Sequence, residues 1–138
     1  MGPGRAIASR TEQSPMVAVV EDDAAARRAL SRMLRAHGLR ISSFSSAEEL
    51  LQAYPDLRPS CLVLDVVLPG MSGPDLVETL SAGSAFPQVV FVSGHIDAPA
   101  MLKRRGLGHL PCLQKPFEPA LLIQAVSRVL GQPRKNHA

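Results

Sequence analysis

The chain has 138 residues, 46% apolar and 20% charged, enough for one globular domain with a real core and unlike a disordered chain. No apolar run approaches the ~20 residues of a membrane-spanning helix and the N-terminus carries nothing like a signal peptide, so the expected location is cytoplasmic, with no membrane contact of its own. The net charge of +3 lies in the ends: Arg5, Arg10 and Glu12 leave residues 1–15 at +1, Arg134 and Lys135 put +2 on residues 131–138, and residues 16–130 are neutral.

Residues 1–15 read as a flexible leader or linker, 16–131 as the folded domain and 132–138 as a C-terminal tail. Met16 to Val20 is a first apolar strand, ending at Glu21-Asp22-Asp23. Asp23 suits the cap of a helix in which Ala26, Ala29, Leu30, Met33 and Leu34 recur at helical spacing, closed by His37-Gly38. Leu39 to Phe44 reads as a second strand. Ser46, with Glu49 three residues on, has the form of a capping box and opens a short helix that Pro55 is expected to stop.

Cys61 to Leu64 is apolar without alternation, as in a parallel strand covered on both faces, and it ends at Asp65. Gly73-Pro74 opens a third helix, Pro74 suiting its first position, with Leu76, Val77 and Leu80 as the buried stripe. Val89 to Val92 is a fourth strand that finishes at Ser93-Gly94-His95, and Asp97-Ala98-Pro99 starts a fourth helix with Met101 and Leu102 inward. Cys112 to Gln114 is a short last strand, placed at a sheet edge by Pro111. Pro119 leads a final helix with Leu122, Ala125, Val126 and Val129 on one face. Cys61 and Cys112 lie in apolar runs without metal-ligand spacing, so they read as reduced, buried thiols. Arg27-Arg28 and Lys103-Arg104-Arg105 read as solvated helix faces, and without interleaved aromatics they argue against direct nucleic-acid binding.

Five βα units imply an α/β, doubly wound parallel sheet with helices on both faces and a site beyond the C-terminal ends of the strands. Glu21, Asp22, Asp65, Ser93 and Lys115 all fall at that rim. Asp65 alone could merely open the turn before Pro69-Gly70. As a set, three carboxylates that repel one another suit a hard divalent cation such as Mg²⁺, while Lys115 and Ser93 can neutralise and hydrogen-bond a phosphoryl group. The group left to attack phosphorus is Asp65, which makes the expected chemistry covalent phosphoryl transfer to aspartate.

The segments VVEDD, LDVVLPGMSGPDL, FVSGH and LQKPF, in this order and spacing, resemble the receiver domains of bacterial response regulators from Met16 to about Leu130. The resemblance implies a flavodoxin-like, five-stranded sheet in the order 2-1-3-4-5 with five helices. It implies Asp65 as phosphoacceptor, Asp22 as a direct metal ligand, Glu21 as one acting through water, and the Val67 carbonyl completing the set. It also implies roles for Ser93 and Lys115 and a cis bond before Pro116. The implied partners are a histidine kinase or a histidine phosphotransfer protein, with a homodimer as another assembly; the domain would catalyse only its own phosphotransfer and dephosphorylation.

Two positions depart from the family pattern. Cys112 stands where many receivers carry an aromatic switch residue, and Val67 where a polar side chain is common, which predicts slow loss of phosphate unless His95 assists. A stand-alone receiver, a receiver of a hybrid sensor kinase and a pseudo-receiver that never takes phosphate, acting as an interaction module, remain alternatives. A flavin or nucleotide binder of the same fold would need a Gly- or Ser-rich phosphate loop where this chain has EDD.

Overall fold

The computed structural model describes residues 14–83, 85–131 and 135–136. Five parallel strands alternate with five helices: β1 (Met16–Val20), α1 (Ala24–Ala36), β2 (Arg40–Phe44), α2 (Ala47–Leu57), β3 (Cys61–Asp65), α3 (Gly73–Ser81), β4 (Gln88–Ser93), α4 (Ala98–Arg104), β5 (Cys112–Gln114) and α5 (Pro119–Leu130). The sheet order is β2-β1-β3-β4-β5, as the resemblance implied. A separate two-residue antiparallel pairing joins Ala85–Phe86 to Lys135–Asn136, within the expected tail. The expected leader lies outside the described residues except at its end, where the carbonyls of Ser14 and Pro15 accept from Arg40 Nε and Arg40 N at 2.8 and 3.1 Å.

The period of two along each central strand sends alternate residues into two separate cores. Ala18, Val20, Leu62, Leu64, Val89 and Phe91 pack on one face with Leu50, Leu76, Val77 and Leu102 from α2, α3 and α4. Val17, Val19, Cys61, Val63, Val90 and Val92 pack on the other with Leu30, Leu34, Leu122 and Val126 from α1 and α5. All five residues of β3 are buried, which is why that strand shows no polar alternation. Each fully buried aliphatic side chain contributes roughly 1.5–3 kcal/mol, so the central strands anchor both layers.

Helix ends follow the sequence in part. Asp23 caps α1, accepting from Ala26 N at 2.8 Å, and His37-Gly38 closes it, Gly38 at φ 89°. Ser46 caps α2 by accepting from Glu49 N, but the Glu49 carboxylate turns to Ser45 N and Oγ at 2.7 and 2.6 Å, so the reciprocal half of the box goes one residue upstream. Pro55 does not stop α2. It sits in the last turn, and the helix runs on to Leu57 because Arg58, in the left-handed region at φ 45°, closes it with a bond from its N–H to Tyr54 O. Pro74 is the second residue of α3, not the first: Ser72 is the cap, in a complete capping box with Asp75. Cys61 is buried and Cys112 only half-buried, both as free thiols.

Candidate functional site

The strand ends bring the expected residues to one rim. Asp65 closes β3 and is 6% exposed; its Oδ1 accepts from Val67 N at 3.0 Å and its Oδ2 from Lys115 Nζ at 3.0 Å. Glu21 follows β1 and is 2% exposed, with Oε1 accepting from Lys115 Nζ and Oε2 from Asp23 N at 3.1 Å. Lys115 thus bridges two buried carboxylates from the ends of the neighbouring strands β1 and β3. Its desolvation favours the neutral amine, but hydrogen bonds to Glu21 and Asp65, and their charges, outweigh that and hold its pKa above the ordinary lysine value.

Asp22 is exposed at the mouth. One oxygen each from Glu21, Asp22 and Asp65 lies within 4.8 Å of the others, a donor set of hard oxygens that fits a divalent cation such as Mg²⁺. Above them opens a cavity of about 580 Å³, lined by Asp22, Asp65, Val67, His95 and Lys115 among others. Val67 turns its side chain toward solvent, 38% exposed. Ser93, at the end of β4 and 1% exposed, accepts from His95 N at 3.0 Å, leaving its own proton to donate. Lys115 N donates to Ser93 O at 2.8 Å, which fixes the last strand end against the fourth, and the Lys115–Pro116 peptide is cis, as the resemblance implied.

Several supporting residues escaped sequence reasoning. Arg27 is not merely a solvated cation: its Nη1 donates to Glu21 O at 2.7 Å, pinning the acidic loop. Glu48, at the start of α2, accepts from Met71 N at 2.9 Å and so ties that helix to the loop after Asp65. Gly70, at φ 74°, sits against the same carboxylate, where a Cβ would approach Glu48 Oε2 to 2.6 Å. Gly73 packs so tightly on Asp65 that a Cβ would overlap the Asp65 carbonyl oxygen and lie 3.2 Å from Phe91 Cε1. The Ser72-to-Asp75 spacing was the one local signal for this support; the Glu48 contact, 23 residues apart, left none. Arg105 likewise is not free but pairs with Asp75 and Glu78 of α3 at 2.9 and 2.8 Å.

A family model described as response regulator receiver domain matches residues 17–127. Nodulation protein W of Bradyrhizobium diazoefficiens is 40% identical over 121 residues, 87% of this chain and 53% of that protein. The transcriptional regulatory protein FixJ of Azorhizobium caulinodans is 38% identical over 120 residues, 87% of this chain and 57% of that protein. The chain therefore spans about half the length of these curated relatives. Among solved structures, a response regulator receiver protein from Burkholderia phymatum superposes with a TM-score of 0.72 at 36% identity, covering 88% of this chain and 98% of the other. The BeF3-activated DrrB receiver domain does so with 0.75 at 27% identity, covering 87% and 100%. Among the described residues, no helix is long and apolar enough to cross a membrane.

Proposed function

The chain belongs to the response regulator receiver domain family of two-component signalling, and from that premise we propose that it accepts a phosphoryl group on Asp65 from a phosphohistidine of a histidine kinase or histidine phosphotransfer protein. A carboxylate oxygen of Asp65 forms the new P–O bond while the P–N bond breaks and the imidazole leaves with the electron pair. Val67 N–H and Lys115 hold the two Asp65 oxygens in place before the reaction. As the phosphoryl group settles, Lys115 and the Ser93 hydroxyl meet its oxygens, and Glu21 remains to orient the ammonium. Asp22, Asp65 and the Val67 carbonyl would hold Mg²⁺, with Glu21 acting through water; the ion supplies neutralisation of the carboxylate and phosphoryl charge. The domain's catalysis is confined to its own phosphorylation and dephosphorylation.

The observation that carries this reading is the single lysine bonded to both Asp65 and Glu21 beneath an open cavity that Asp22 also lines. Intact mass after incubation with acetyl phosphate tests it. The wild type is expected to gain one phosphoryl group only with Mg²⁺, and Asp65→Ala none. An unlabelled wild type, under conditions that label a control receiver and with cognate kinases supplied as well, would leave the pseudo-receiver as the reading.

A further inference from the structure

Away from the acidic rim, α1 carries four arginines and no acidic residue. Arg27 is spent on Glu21 O, but Arg28, Arg32 and Arg35 recur at i, i+4 and i+7 and therefore share one helix face. Like charges at these spacings work against the helix, so folding alone does not account for them. Among the described residues no carboxylate pairs with any of the three, whereas Arg105, at the C-cap of α4, has two partners. The three converge with Ser31 of α1 and Ser43 of β2 on a cavity of about 260 Å³. Ser31 is buried at the cavity wall, its hydroxyl donating to Arg27 O, and Arg35 Nη2 reaches Ile41 O at 3.4 Å, which holds one guanidinium against β2. Sequence spacing alone gave a solvated face for this helix; the concavity and the missing counter-charge set it apart.

We infer that this α1–β2 cavity is a second anion site that takes a linear di- or triphosphate. Guanidinium forks match phosphate oxygens bidentately, and the exposed Ser43 hydroxyl adds a further donor, the Ser31 proton being already given to Arg27 O. Arg28 and Arg35 are about 10 Å apart along the helix axis at the standard rise, too far for one phosphate to bridge but suited to a short phosphate chain with Arg32 between. A slim chain of oxygens also enters a concavity that a flat acidic protein surface would span. The site does not depend on chemistry at Asp65.

Backbone amide shifts of the whole chain, titrated with inorganic pyrophosphate and separately with ADP, test it. The titration is run without divalent cations, so that the carboxylates around Asp65 repel anions, and at about 0.15 M salt, where surface attraction beyond ~8 Å is screened. Saturable shifts are expected at residues 28–35 and Ser43. Arg32→Ala should weaken binding by about tenfold or more, Arg28→Ala should act in the same direction, and Lys103→Ala, which removes an equal charge elsewhere, should change it less than about twofold. Similar affinities identify the phosphate chain as the ligand, and markedly tighter ADP identifies a nucleotide as its source. Absent saturation, equal loss in Lys103→Ala, or shifts centred on Lys115 would overturn the inference. So would binding of hexaglutamate at the same amides without pyrophosphate binding, which would make the surface one for an acidic protein.

Discussion

Lys115 is the only cation bonded to the buried carboxylates of the rim among the described residues, so its removal leaves Glu21 and Asp65 facing each other without compensation. Lys115→Met should destabilise the domain by about 2 kcal/mol, less than for a fully buried pair because the lysine is partly exposed. Urea unfolding with and without MgCl₂ reads this out, with the ion expected to return part of the loss; an unchanged midpoint in the absence of metal would show that the lysine contributes nothing to stability at the rim. At Val67 the exposed aliphatic side chain offers an attacking water no polar partner. Val67→Asn should therefore shorten the lifetime of the phosphorylated form several-fold, followed by mass or by radiolabel decay, and an unaltered lifetime would remove this residue from the account. Asp65 and Ser93 were legible because a polar residue ending a buried apolar run is conspicuous in a sequence, and Lys115 because it follows the last strand in the LQKPF segment that carries the resemblance. Arg27 and Glu48 were not, since a charged residue on an amphipathic helix looks alike whether it reaches a carbonyl or water.

The start of α3 is bound to the strand that ends at Asp65 by contact without slack. Gly73→Ala forces a methyl onto the Asp65 carbonyl and should cost about 3 kcal/mol, at the upper end for overpacking, seen as a lowered denaturation midpoint. Between α3 and α4, the bond from Arg105, followed by those from Ser72, holds the Asp75 carboxyl below its ordinary value. A lowered folded value means that the contribution is present above the unfolded pKa and is lost as pH falls through the folded one. Carboxyl NMR should show Asp75 titrating below an ordinary aspartate, and Arg105→Ala should move that midpoint upward; identical midpoints would mean that the bridge carries no weight in solution. Element boundaries were read well where periodicity and caps agreed, as in α1. They differ where tertiary or backbone context overrides a local rule: Pro55 lies near enough to the end of α2 for the helix to absorb it, and Ser72 rather than Gly73 takes the cap before Pro74.

Across the whole molecule, the five-unit alternation was visible because each strand is a short apolar run and each helix has its own stripe. Strand order came from the resemblance alone, since periodicity says nothing about which strands are neighbours. Burial pushes the Cys61 thiol up to about 12 and also raises Cys112, whose desolvation is joined by the nearby Asp65 charge. At pH 8 Cys61 should react with a thiol reagent only through opening of the α1/α5 core, so its labelling rate should fall in step with added global stability, while half-buried Cys112 reacts faster. Equal rates would place Cys61 in a locally loose layer. The partition of the sheet into two cores has a consequence for engineering. The loop after Asp65, α3 and α4 rest on one core, and α1 and α5 on the other, with β3 as their shared wall. The interior beneath α1 and α5 is thus a chassis whose apolar composition a designer can randomise as its own library, while the layer under α3 and α4 keeps its wild-type sequence.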